Sequence, residues 1–64
     1  MTIGDLYPAY IDKIIVYVEN GDGEYRDLYK GTIKDAPDNI KTMTIRTIIA
    51  KRKDVLDIHV RKDN

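Results

Sequence analysis

The stretch "YIDKIIVYVENGDGEY", Tyr10–Tyr25, decides how this chain is read. Its first ten residues are rich in β-branched and aromatic side chains. Ile14, Val16 and Val18 recur at period two, the spacing of one face of a β-strand. Ile15 and Tyr17 make the other face apolar as well, which predicts a central strand or one with a second layer over it. Between Tyr17 and Asp27, four acids and an asparagine then gather around Gly21 and Gly23. A calcium loop of the EF-hand kind needs oxygen ligands at positions 1, 3, 5 and 12 and a glycine at position 6. Counted from Asn20, the sixth residue is Tyr25 and the twelfth is Gly31; counted from Asp22, Arg26 and Asp27 break the pattern. Neither register fits. Asn-Gly and Asp-Gly between two β-like runs are instead hairpin chemistry, because glycine accepts positive φ.

The returning run "EYRDLYKGTI" is less regular: Tyr25, Asp27, Tyr29, Gly31 and Ile33 share one parity and Leu28 takes the other. A register shift near Leu28-Tyr29 reconciles them, and Gly31 marks a bend or a close backbone approach. Upstream, "TIGDLY" predicts a short helix with Thr2 as N-cap and Asp5 where a capping box wants an acid. Pro8 stops it, and Ile3 and Leu6 are laid on the sheet. Downstream, "KDAPDNI" predicts a single helical turn with Asp35 as N-cap, Pro37 just inside and Ile40 turned to the core. "TMTIRTIIAK" reads as a third strand, and the spacing of Ile45 and Ile48 predicts a bulge at Arg46-Thr47. "KRKD" turns the chain, and "VLDIHV" closes it with Leu56, Ile58 and Val60 inward and Asp57, His59 and Arg61 outward. The sum is a single mainly β domain: four antiparallel strands in a meander, a small sheet or an SH3-like partial barrel.

Sixty-four residues bury only about 60% of the surface that the unfolded chain exposes, so stability is expected to be small. The chain has no Ser, Cys, Gln, Phe or Trp, one His and five Tyr. A serine or cysteine nucleophile is thereby excluded, as are thiolate zinc sites and disulfides. "NGDG" lacks the lysine and the following helix of a phosphate loop. His59 with Asp57 on the same face admits a general-base reading, but a solvated strand face explains the pair as well. The expectation is a non-enzyme without cofactor or metal. No apolar run approaches a membrane span and the N-terminus lacks the layout of a secretory signal, so a cytoplasmic protein is expected.

Net charge is zero, yet residues 1–40 carry eight acids against four bases and residues 41–64 seven bases against three acids. Such asymmetry points to partners or to self-association as a homodimer, unless the halves interleave in space. Two contact surfaces emerge. One is protein-binding: Tyr17, Tyr25 and Tyr29 with the acids Asp22, Glu24 and Asp27, since tyrosine offers a large rigid surface with a polar end. The other is nucleic-acid-binding: Arg46, Lys51, Arg52, Lys53 and Arg61 around the second hairpin. Stacking aromatics should accompany it, and every tyrosine lies before residue 30.

The layout of "TIGDLY", "IIVYV", "LYKGTIKDAP" and "VLDIHV" resembles small uncharacterised proteins carried by phages and mobile elements of Gram-positive bacteria. Leu28-Tyr29-Lys30-Gly31 and Asp35-Ala36-Pro37 carry most of the likeness. The resemblance assigns no functional residue. It implies a setting, in which small proteins without enzymatic equipment bind and block a host protein, including components of bacterial immunity such as CRISPR effectors. The expected function is therefore a protein-binding inhibitor of a host factor, with a nucleic-acid-binding module as the alternative.

Overall fold

The computed structural model describes residues 1–21 and 23–61 of the chain. A 3-10 turn, Ile3–Leu6, is followed by β1 (Lys13–Glu19), β2 (Tyr25–Thr32), the single-turn helix α1 (Asp38–Lys41), β3 (Ile45–Arg52) and β4 (Val55–Val60). The hairpin chemistry of the first turn holds: Asn20 N–H donates to the Glu24 carbonyl at 2.8 Å, and Gly21 and Gly23 take φ of 90° and 88°.

The meander does not hold. The strand order is β2-β1-β4-β3, with β1 and β4 parallel at the centre of an open, mixed sheet. Only the hairpins β1–β2 and β3–β4 are antiparallel. The reason lies in the segment between β2 and β3. A meander would need a short turn there, but residues 33–44 include three buried apolar side chains, Ile33, Ala36 and Ile40. To bury them the segment crosses one face of the sheet and delivers β3 to the far edge. That leaves β1 and β4 side by side.

The covered face is the core. Ile14 and Val16 of β1 meet Ile58 and Val60 of β4, and Ile3, Ile33, Ala36 and Ile40 close over them. The period-two readings of β1 and β4 are thus correct, and β1 is indeed central. Both expected irregularities appear as well. In β2, Leu28 is the extra residue between Tyr29 (opposite Val16) and Asp27 (opposite Tyr17), and Leu28 and Tyr29 both pack on the core. In β3, Arg46 is passed over between Ile45 (opposite Val60) and Thr47 (opposite His59). β2 and β3 are the two edges, and a bulge in each is the device that blunts edge-to-edge pairing.

The helical details differ from expectation. The first turn is 3-10, and it ends where Tyr7 turns extended ahead of Pro8. The cap of α1 is Pro37, because Asp35 spends its carboxylate on the Thr32 hydroxyl at 3.2 Å instead.

At the other end of the chain, the Asp5 carboxylate accepts the Thr2 N–H at 2.9 Å, and hydrogen bonding to that backbone holds its pKa below the ordinary carboxylate value. A depressed pKa adds stability above the unfolded value, about pH 4, that is lost as pH falls through the folded value. Asp5→Asn should therefore lower the urea midpoint at pH 6 and differ less from the parent at pH 2. Curves that stay parallel over that range would deny the carboxylate any part in the cap.

Candidate functional site

Among the described residues, none of the segments that cover the core lies over the second face of the sheet. Register sets out its side chains as a grid. Lys30, Ile15, Asp57 and Ile49 form one row across β2, β1, β4 and β3; Asp27, Tyr17, His59 and Thr47 form the next. Beyond them, Tyr25 lies opposite Glu19 at one end, and Lys13 lies opposite both Val55 and Thr32 at the other.

The parallel pairing of β1 with β4 makes Tyr17 and His59 neighbours, though they are 42 positions apart in sequence. Their ring centroids stand 4.2 Å apart at 78°, edge to face. Tyr25, more than half exposed on the edge strand, meets Tyr17 at 5.6 Å and 83° and His59 at 5.1 Å and 33°. Edge-to-face pairs of this kind are worth about 0.5–1.5 kcal/mol beyond their buried area, which fixes the rings in place. Burial pushes the Tyr17 hydroxyl pKa up, and the nearby charge of Asp57 adds to the effect, so this ring stays neutral across the ordinary pH range.

Acids and bases on the face are matched at short range. Asp57, 7% exposed, takes the Arg52 guanidinium at 3.3 Å; Asp27 takes Lys30 at 3.4 Å; Glu19 takes Arg46 at 3.6 Å. Such pairs contribute little to stability when exposed, but they cancel the carboxylate charge locally. Lys13 and Lys51 have no carboxylate partner among the described residues. The face therefore keeps a positive surplus although the chain as a whole is neutral. Two open depressions, of about 490 Å³ beside the rings and about 350 Å³ beside Lys13, adjoin and share Ile15, Lys30 and Arg52 in their linings.

Of the protein-binding set read from the sequence, Tyr17, Tyr25 and Asp27 come together here. Tyr29 does not: it faces the core side and its hydroxyl donates to the Thr32 carbonyl at 2.8 Å. Glu24 is in the first turn, off the grid, and Asp22 lies outside the described residues. Of the basic set, Lys51 and Arg52 line the ring-side depression, and Lys53 is exposed in the Lys53-Asp54 turn. Arg46 is held by Glu19, and Arg61 follows β4, its N–H on the Thr44 carbonyl. The two charged halves of the chain interleave, since β4 lies against β1 and Arg46 bridges to Glu19.

Lys13, Lys30 and the part played by His59 were not anticipated. Lys13 could have been found, since it shares the parity of Ile15 and Tyr17. His59 could not, because nothing local signals a parallel pairing. Among the described residues no three His, Asp or Glu side chains converge on a point where they could hold a metal ion, and no helix is long and apolar enough to cross a membrane. No family model, curated protein or solved structure matches this chain.

Proposed function

We propose that the chain is a non-enzymatic binding module whose contact surface is the uncovered sheet face. The observation that carries this reading is the ring cluster of Tyr17, Tyr25 and His59, on a face over which the described residues lay no second layer. A chain this small has every reason to cover apolar surface, and it covers one face of its sheet with two separate segments, the Ile3–Leu6 turn and residues 33–44. Leaving aromatic rings and two half-buried isoleucines, Ile15 and Ile49, on the other is what a contact surface requires.

In the setting implied by the resemblance, that surface would cover a host protein and inhibit it. Tyrosine-centred contact of this kind depends on a few large anchors, and Tyr25 is the most exposed of them. A second reading, nucleic acid, gains from the pairing of β1 with β4. It brings the early tyrosines beside Lys51 and Arg52 of the second hairpin, supplying the aromatics that a basic turn alone lacks.

The test compares partners captured from a Gram-positive lysate by the tagged parent and by Tyr25→Ala, each with and without nuclease. Tyr25→Ala should abolish stoichiometric capture while the circular-dichroism melt stays within a few degrees of the parent. Equal capture by both proteins would place the contact surface elsewhere.

A further inference from the structure

We infer that the occupant of the uncovered face is a single-stranded nucleic acid, with bases on the rings of Tyr25, Tyr17 and His59 and phosphates at Lys51 and Lys13. The inference rests on the reading of that face as the contact surface.

Three observations favour this occupant over a protein. First, the face is graded along its strands: aromatic at the Tyr17 end of β1 and basic at the Lys13 end, four residues or about 13 Å away. A nucleotide has that same division, a flat π-face and an anionic link, and a short run of them spans that length. Second, the positive surplus is local. The three carboxylates of the face are each matched by Arg46, Lys30 or Arg52, which leaves Lys13 and Lys51 to meet an anion. A phosphate backbone meets lysines at regular intervals, and each contact releases a counterion. Third, the two depressions are open and adjoin at Ile15, Lys30 and Arg52, a shape that suits an extended strand better than one enclosed molecule. An open four-stranded sheet with aromatic rings is a known platform on which unpaired bases stack. Duplexes hide those base faces, so the site selects single strands.

The test is fluorescence anisotropy of labelled 12-nucleotide DNA and RNA single strands, and of the corresponding duplex, titrated with the full chain at several salt concentrations. Single strands should bind saturably and at least tenfold more tightly than the duplex. Tyr25→Ala, at an exposed position, should weaken binding about tenfold or more, since one stacked base is worth that much. The pair Lys13→Gln and Lys51→Gln should lower the slope of log affinity against log salt by about 1.4, twice the single-strand value per phosphate. Circular-dichroism melts of each variant show that the fold is retained.

Absence of saturable binding, equal binding of duplex, or an unchanged salt slope in the lysine pair would each overturn the assignment. If oligonucleotides fail to bind while Tyr25→Ala still abolishes capture of a nuclease-resistant protein, the nucleic-acid occupant is wrong and the contact face stands. If capture also survives Tyr25→Ala, the contact face itself is wrong.

Discussion

Replacing Ile58 by alanine should cost about 2–5 kcal/mol, the usual range for emptying a fully buried aliphatic site. Ile58 has no exposed surface and stands in a central strand, opposite Val16 on one side and Ile48 on the other. At roughly 0.05–0.15 kcal/mol per residue, a 64-residue chain has about 3–10 kcal/mol in all. The substitution therefore removes much or all of it. In a domain of this size each kcal/mol moves the melting temperature by about 4–8 °C, so the variant should melt at least 8 °C lower or be unfolded at 25 °C. Ile58→Val, which removes one methylene, should cost only about 0.5–1.5 kcal/mol and keep a cooperative transition. A urea titration of the three proteins decides the matter. A loss below 1 kcal/mol for alanine would mean that the segments over the core settle into the void, and that the packing around Ile58 is looser than its burial implies.

Gly31→Ala should be the most damaging small change at the surface of the sheet. Gly31 adopts φ of 149°, where a side chain is strained by roughly 1–3 kcal/mol. Space is also lacking. A Cβ there would stand 2.7 Å from the Tyr29 hydroxyl oxygen and 3.1 Å from the ring carbon that bears it. The ring would have to move, and with it the hydrogen bond to the Thr32 carbonyl, worth about 1 kcal/mol. A total near 2–4 kcal/mol follows. The two contributions separate in a double-mutant cycle with Tyr29→Phe, which removes the clashing hydroxyl but leaves the backbone strain. Alanine at position 31 should cost about 1 kcal/mol less in the phenylalanine background. Equal costs in both backgrounds would assign the whole effect to the backbone.

Local chemistry was legible in the sequence, and long-range pairing was not. Alternation in "VLDIHV" identified β4 to the residue, and the mismatch of Leu28 with Tyr29, or of Ile45 with Ile48, located two of the three register shifts, the one between Ile49 and Arg52 being unforeseen. These signals need only neighbours, because a strand's two faces are written at period two. The order of the strands depends on something else: whether residues 33–44 make a turn or cross the sheet. Ile33, Ala36 and Ile40 held the answer, but three apolar side chains in a loop do not say which surface they cover. The same gap hid the candidate site. Tyr17 and His59 were each read as outward-facing, correctly, yet only the parallel pairing makes them a pair. Tyr29 was misjudged for a different reason: a bulge one residue away reverses which side chains share a face.

The seam between β1 and β4 also governs when the protein becomes competent. Each hairpin supplies two of the buried side chains on the sheet, Ile14 and Val16 from the first, Ile58 and Val60 from the second. An isolated two-stranded hairpin is marginal in water, so neither half is a stable resting place. The partners in the seam are 42 positions apart, and closing a loop of that length must precede any reward from the contacts it brings together. Assembly is thus all-or-none, and it waits on β4, the last of these four strands in chain order. The ring cluster is built across that same seam, with Tyr17 and Tyr25 on one hairpin and His59 on the other. A chain opened along the seam keeps the residues of the surface but loses the contacts of His59 with Tyr17 and Tyr25. On the proposed reading of this face, binding would report that the four strands have come together.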